Sequence, residues 1–494
     1  SAANSALPQG AQRLGGRIGD GPGNREATVT TSERPRIGLL GIMQELYDEM
    51  IPRITEHQAE FSRQLCARLA PAAEVVFTRP ARNRADVEEI VQDLGGRELD
   101  GIMIVMLTYG PAMRTLRALQ ENSLPVLLAN IQPEPAVTAE WTMDDLTYNQ
   151  GIHGAQDQSN ALLRAGLPYS VITDDWRSAA FLASFESWAK AAQTVTRWKR
   201  TKIALFGYPM NGMEDVVYDA AALLRKLGPM IVNENLGDVY QRMQAVGADA
   251  VEEVRQRHAA QFEIDPQLSR ESHEYAIRFE LAVRAILSEG GYDGWSMHFE
   301  PVGRDGRFEQ LPLLAASNTM ADGYGYGAEG DTNAAALVCA AHTLIGDAHF
   351  SEMYAMDYEL DSVLISHMGE GNWRIARHDR PVRLIDRPLG IGGLGNPPTA
   401  VFSAEPGVAT VATLIPLEGE FYRLAVARGE VLDTPELPLV QMPYFHFRPD
   451  SGMRPFLTSW LRNGGTHHFC LNPGDHVERW RLLAELAEID HVAI

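Results

Sequence analysis

The chain has 494 residues, 45% apolar and 22% charged, an ordinary globular composition that at roughly 150 residues per domain suggests two to four domains. Its 43 Lys and Arg against 65 Asp and Glu leave a formal charge of −22, which argues against nucleic acid or an anionic membrane as the main partner. Cys66, Cys339 and Cys470 form no CxxC pair, excluding a disulfide scaffold and a thiolate zinc site, and no apolar run nears the roughly 18 residues of a membrane span.

Residues 1–34 are rich in Gly, Ala and polar residues without an apolar period, and are read as a flexible N-terminal arm. They lack the apolar core of a signal peptide, so a cytoplasmic protein is expected. Order begins at Arg36. RIGLLGI, EVVFTRP (74–80), DGIMIVML (100–107), PVLLANI (125–131) and YSVITDD (169–175) are nearly continuous apolar runs, as expected of parallel strands buried on both faces. Helical patterns such as ITEHQAEFSRQLCARLA and ADVEEIVQDLGG separate them, so residues 35–199 read as a doubly wound α/β domain.

A long helix is predicted from about Asp175 to Trp198, and KIALFGYP (202–209) restarts the alternation. A helix near Met213–Leu227, the run MIVNENL and further helices to about Glu289 make residues 200–346 a second Rossmann-like α/β domain. Beyond it VLISHM, VRLID, AVFSA, VATVATLIPL, FYRLAVARGEVL and LPLVQMPYFHF are strands between Gly and Pro turns. They predict a β-rich antiparallel C-terminal domain over 347–494, closed by the helix VERWRLLAELA.

Two stretches match GxGxxG. Gly325-Tyr-Gly327-Ala-Glu-Gly330 has no apolar strand just before it and puts Glu329 where a diphosphate would be repelled. Gly390-Ile-Gly392-Gly-Leu-Gly395 runs into Asn396-Pro397-Pro398, which cannot open a helix with free amides. No P-loop is present, and no nucleotide cofactor is expected. Asp331 suits the N-cap of the helix TNAAALVCAAHTL, whereas Glu329 has no capping role and suggests a ligand or acid/base site.

Downstream stand Glu352, His367 and the pair His467-His468. No local spacing joins them. Two carboxylates and two imidazoles would nevertheless neutralise a divalent ion and leave positions for substrate oxygens, with Mn²⁺ or Mg²⁺ favoured over closed zinc. Adjacent residues on extended backbone face opposite ways, so only one of His467 and His468 is expected at the same ion. His57, His258, His342, His378 and His491 are given no role.

FEQLPLLAASNTMADGYGYGAEGDTNAAAL (308–337), with MQELY (43–47), NQGIHG (149–154), FGYPM (206–210), FSEMY (350–354), SHM (366–368), LGIGG (389–393) and GGTHH (464–468), resembles the L-arabinose isomerase family from about Arg36 to the C-terminus. The resemblance implies two Rossmann-like domains with a β-rich third and an aldose–ketose isomerase activity. It places metal ligands at Glu329, Glu352, His367 and His468, with Glu329 and Glu352 also the acid/base pair. Sugar contacts fall on Gln44, Leu46, Met210 and Phe299. Gln150 and His153 match residues that reach an adjacent subunit's active site. Trimers or hexamers are implied, with Mn²⁺ the typical ion and Mg²⁺ or Co²⁺ as alternatives.

Some positions depart from the family's pattern. Glu45 stands where a His is usual, Thr332 replaces an aromatic, the first strand ends GIMQ rather than in GSQ, and the stretch after Phe299 is longer. The implied catalytic set is intact while the pocket wall is altered. The reading is therefore a sugar isomerase working through a cis-enediol, with His467 near substrate. A different sugar, such as a deoxy-hexose or a tetrose, a non-catalytic sugar-binding protein, and an epimerase or lyase using the same enediolate are the alternatives.

Overall fold

A computed structural model describes residues 34–494. Apart from Arg34, the predicted N-terminal arm lies outside the described residues. Strands β1 (Arg36–Ile42), β2 (Glu74–Val76), β3 (Gly101–Met106), β4 (Val126–Asn130) and β5 (Ser170–Thr173) pair in parallel in the order β2-β1-β3-β4-β5. The apolar runs are continuous because both faces are covered. On β3, Met103 and Val105 pack with Phe61, Leu65 and Trp188, while Ile102 and Ile104 pack on the other face with Val87, Ile90 and Leu162. A polar residue at any of these positions would be desolvated without a partner.

The long helix starts at Ala179, not Asp175, because Ser178 caps it by accepting from the Phe181 amide at 2.9 Å. Its first half (Phe181, Phe185, Trp188) completes the N-terminal core, and its second half (Ala191, Val195, Trp198) enters the central one. There β6 (Lys202–Phe206), β7 (Met230–Glu234), β9 (Gly294–Met297) and β10 (Gly325–Ala328) pair in parallel in the order β10-β9-β6-β7. The short β8 (Glu263–Ile264) leaves this sheet to pair with a strand of the C-terminal domain.

The C-terminal domain contains β11 (His349–Asp357), β12 (Ser362–Ser366), β13 (Arg383–Asp386), β14 (Pro398–Val401), β15 (Gly407–Pro416), β16 (Tyr422–Val431), β17 (Tyr444–Pro449), β18 (His468–Pro473) and β19 (Asp490–Ala493). The order β15-β18-β11-β12-β17-β16, with β16 pairing back to β15, closes an antiparallel ring. Closure removes the sheet edges that would otherwise invite aggregation. Val363, Ile365, Val411, Phe445, Phe447 and Phe469 share one of its cores. β19 on β16 and β13 on β8 are parallel additions. Among the described residues no helix is long and apolar enough to cross a membrane.

Candidate active site

Glu329 follows β10, at the C-terminal end of the central parallel sheet, where open α/β sheets place their ligands. Three local features hold it. Its amide donates to the Met297 carbonyl (3.1 Å), its carbonyl accepts from the Met210 amide (2.9 Å), and its φ is +60°. A non-glycine residue in the left-handed region is disfavoured by about 1 kcal/mol or more, and such residues gather at functional sites. Asp331 then caps the helix Thr332–Leu344, accepting from the Ala334 amide at 2.8 Å as its sequence position predicts. The glycines of this GxGxxG stretch serve packing. A Cβ on Gly325 would stand 2.2 Å from the Ala335 carbonyl oxygen, and one on Gly327 2.1 Å from that of Asp331, so their absence lets the helix lie on the strand.

The barrel supplies the facing groups. Glu352 on β11 is opposite both Ser366 on β12 and His468 on β18, and His367 immediately follows β12. Cross-strand register thus brings together residues more than a hundred positions apart in sequence. His468 Nε2 lies 3.5 Å from Glu329 Oε2 and 3.5 Å from Glu352 Oε1, and His367 Nε2 lies 3.8 Å from Glu352 Oε2.

His467 corrects the expectation that neighbouring histidines diverge. Its Nε2 is 3.7 Å from Glu329 Oε2 and 3.5 Å from Glu352 Oε1, and the two rings tilt together with centroids 4.0 Å apart. Strand pairing begins only at His468, so His467 sits on a bend where the two-residue alternation does not apply. Ligating atoms of Glu329, Glu352, His467 and His468 all lie within 4.8 Å of one another. His367 adjoins this group through Glu352.

Each imidazole is held from behind by a carboxylate. His367 Nδ1 is 2.6 Å from Glu370, His468 Nδ1 is 2.9 Å from Asp331, and His467 Nδ1 is 2.7 Å from Asp215. Such contacts fix the ring and turn Nε2 forward, the arrangement found behind metal-binding histidines. Phe350 packs edge-on against both His367 and His468, with centroids 4.9 and 4.8 Å away. The forward atoms, Glu329 Oε2, His467 Nε2 and His468 Nε2, are buried with no hydrogen-bond partner. Polar atoms orphaned in this way are costly unless something else meets them.

The electrostatics follow from this crowding. Burial works against the Glu329 carboxylate, but His467 and His468 overcome it and hold its pKa far below the ordinary range. Glu352 is also lowered, against burial, by His468, His367 and His467. Burial likewise opposes charge on His467, yet Asp215 and Glu329 raise it to about 9. His468 rises further, against burial, through Asp331, Glu329 and Glu352. Carboxylates and imidazoles in this cluster thus favour each other's charged forms.

Of the predicted substrate contacts, Met210 adjoins Glu329 through its amide, and Phe299 lines a cavity with Glu329, Met368 and Glu370. Gln44, Leu46, Gln150 and His153 belong to the N-terminal domain. Gln44 follows β1 and donates its amide to Thr108 (3.2 Å), Leu46 is 51% exposed, and Gln150 and exposed His153 lie at the start of the helix Gly151–Arg164. Among the described residues no hydrogen bond or ion pair joins these four to the Glu329 cluster. Sequence reasoning missed Asp215 and Glu370. Glu370, three residues after His367, was open to inference from the motif. Asp215 was not, because it reaches His467 from another domain.

Family models describing the N-terminal, central and C-terminal domains of L-arabinose isomerase match residues 33–200, 202–347 and 347–490. The chain belongs to the L-arabinose isomerase family. It is an aldose–ketose isomerase of that type, an intramolecular oxidoreductase. L-arabinose isomerase 1 of Bacillus licheniformis is 29% identical over 463 residues, covering 91% of this chain and 92% of that protein. L-arabinose isomerase of Nocardioides sp. is 30% identical over 471 residues, covering 91% and 92%, and that of Clostridium beijerinckii is 28% identical over 435 residues, covering 86% and 87%. A solved periplasmic solute binding protein from Actinobacillus succinogenes with bound D-allose covers 58% of this chain and 89% of its own at 12% identity and a TM-score of 0.17, a likeness too slight to carry an argument.

Proposed function

We propose that this member of the L-arabinose isomerase family is a divalent-metal-dependent isomerase that interconverts a free aldose and its 2-ketose by proton transfer through a cis-enediol. In this reading Glu329, Glu352, His367 and His468 hold the ion, with Mn²⁺ first and Mg²⁺ or Co²⁺ as alternatives. The observation that carries it is the convergence of imidazole Nε2 atoms, each ring braced by a carboxylate, on the Glu329–Glu352 pair. Unpartnered buried atoms and two depressed carboxylates fit a hard, oxygen-tolerant cation.

When bound, the ion supplies Lewis-acid polarisation that makes an aldose C2 proton more acidic. The chain's own groups do the rest. Glu329 and Glu352 are ionised at neutral pH and face one another across the site. One takes the C2 proton and returns it to C1. The other moves a proton between O1 and O2. A positioned proton carrier of this kind contributes about 10²–10⁴-fold. His467, the imidazole outside this ligand set, has 32% of its side chain exposed against 1% for His367 and 0% for His468, and lies beside the substrate in this reading.

The reading extends to a homo-oligomer, trimer or hexamer, with Gln150 and His153 reaching a neighbour's site. Supporting this, His153 and Ile152 are exposed on their helix. A cytoplasmic location agrees with three cysteines that are all free. The test is turnover of a panel of aldoses in D₂O with Mn²⁺, read by NMR of the ketose. Deuterium at C1 supports transfer through the carboxylates, and complete conversion with none opposes it.

A further inference from the structure

β6 ends at Phe206, and the segment after it serves both halves of the site. Gly207 turns it with φ +95°, where a Cβ would stand 2.8 Å from Pro301, and the Met210 amide is tied to the Glu329 carbonyl at 2.9 Å. Further on, Asp215 reaches out of the central domain to His467 of the C-terminal one. A single oxygen, Oδ2, accepts from both the His467 amide (2.9 Å) and the ring Nδ1 (2.7 Å). The turn that carries Asp215 (Glu214–Val216) is itself anchored. Val216 is fully buried, and Asp219 caps the next helix by accepting from the Ala221 and Ala222 amides at 2.9 and 3.0 Å.

The other two imidazoles have a second hold that His467 lacks. His468 opens β18 and is registered against Glu352, and His367 directly follows Ser366, the last residue of β12. Both rings are buried and wedged against Phe350. His467 stands before the strand, outside its ladder, with 32% of its side chain exposed. A part-exposed side chain on a bend samples several rotamers unless something fixes it. The paired bonds to Asp215 fix main chain and ring together. With Nδ1 held from behind, Nε2 faces Glu329 Oε2 (3.7 Å) and Glu352 Oε1 (3.5 Å).

We propose that Asp215 is a positioning residue for the isomerase reaction: it holds His467 so that Nε2 stays aimed at the space between the two carboxylates, where the sugar's oxygens must come. Asp215 stands behind the ring and acts through it. This rests on the isomerase reading above and adds a residue that reading does not use. Preorganising a binding group lowers the cost of substrate binding, because the ordering is complete before the sugar arrives. The contact serves bound sugar and transition state alike, so its loss shows in KM rather than in kcat. A residue that only supported the fold would instead lower the melting temperature, or lower kcat through a smaller active fraction, and leave KM in place.

Steady-state kinetics of the full chain with Mn²⁺ test this, using whichever aldose of the panel above is converted fastest. Asp215→Ala should raise KM by about 10- to 100-fold, the worth of a hydrogen bond to a charged group, with kcat and Mn²⁺ affinity little changed. Asp215→Asn, whose side-chain oxygen still accepts from both N–H groups, should recover most of that loss. In a His467→Ala background Asp215→Ala should add nothing, because the two residues act as one unit. Wild-type KM in Asp215→Ala, an Asp215→Asn variant no better than Asp215→Ala, or the full penalty repeated on top of His467→Ala overturns the proposal. Asp215 has 38% of its side chain exposed, so truncation leaves no buried cavity. Should Asp215→Ala still fail to fold, Asp215→Ser takes its place in the same cycle. Failure of the isomerase reading would show separately, as no ketose formed by the wild-type chain from any aldose of the panel.

Discussion

Glu352 and His468 face each other across two paired antiparallel strands, with Glu352 Oε1 3.5 Å from His468 Nε2. That register joins the barrel's half of the site to Glu329, which a left-handed turn lifts from the central sheet toward the same nitrogen. The site therefore exists only when the two domains are docked. Neither half carries both carboxylates.

Replacing Glu329 or Glu352 by Gln keeps shape and removes the proton carrier. Each variant should lose isomerase turnover by at least about 10²-fold while its circular dichroism stays native. Near-normal turnover in either would remove that residue from the acid/base pair.

Stripping divalent ions with EDTA should silence the enzyme and lower its melting temperature, because carboxylates and orphaned imidazoles would lose a shared partner. Mn²⁺ at about 100 times its Kd should restore both, with about 2.7 kcal/mol of stabilisation by mass action. A melting curve indifferent to EDTA and Mn²⁺ would contradict the assignment.

Gly330→Ala should damage both stability and activity. Gly330 has φ +86°, and an added Cβ would stand 2.3 Å from the Pro209 Cα, a backbone atom that cannot swing aside. The strained dihedral alone costs about 1–2 kcal/mol, and the turn that aims Glu329 must shift. A lower melting temperature with a fall in kcat is expected; wild-type values for both would show that the turn is not under this constraint.

Buried His273, whose Nε2 is 2.9 Å from His258 Nδ1, supplies a pH dependence away from the site. Burial, then His258, lowers its pKa to about 4. With the folded value depressed below the unfolded one near 6.5, the unfolded chain binds the extra proton in between. Stability is thus intact above about pH 6.5 and falls as pH drops from there toward 4. His273→Gln should flatten part of that slope in melting curves taken across the window; an unchanged slope would place the titration elsewhere.

Much of this architecture was legible in the sequence because burial on both faces writes strands such as RIGLLGI as unbroken apolar runs. The same rule misleads where apolar residues lie outside. In LPLVQMPYFHF only the last four residues, from Tyr444, belong to a strand (Tyr444–Pro449), Pro438 and Pro443 interrupt the start, and Leu439 is 94% exposed. The helix Met453–Arg462 escaped notice among the strands around it. The helix expected near Met213–Leu227 divides, because Asp219 caps a new start at Ala220, and Asp215 is left on a separate turn where it can hold His467. β15 and β16 form a local hairpin, but the pairing of β18 with β11 and β15 and the bend at His467 depend on tertiary register, which no local pattern records.

The central claim is tested most directly by anomalous diffraction from crystals grown with Mn²⁺. One peak per chain is expected, bounded by Glu329, Glu352 and His468 with His367 beside it, and lost in Glu329→Gln. Absence of a peak there, or a peak elsewhere with these side chains uninvolved, would contradict it.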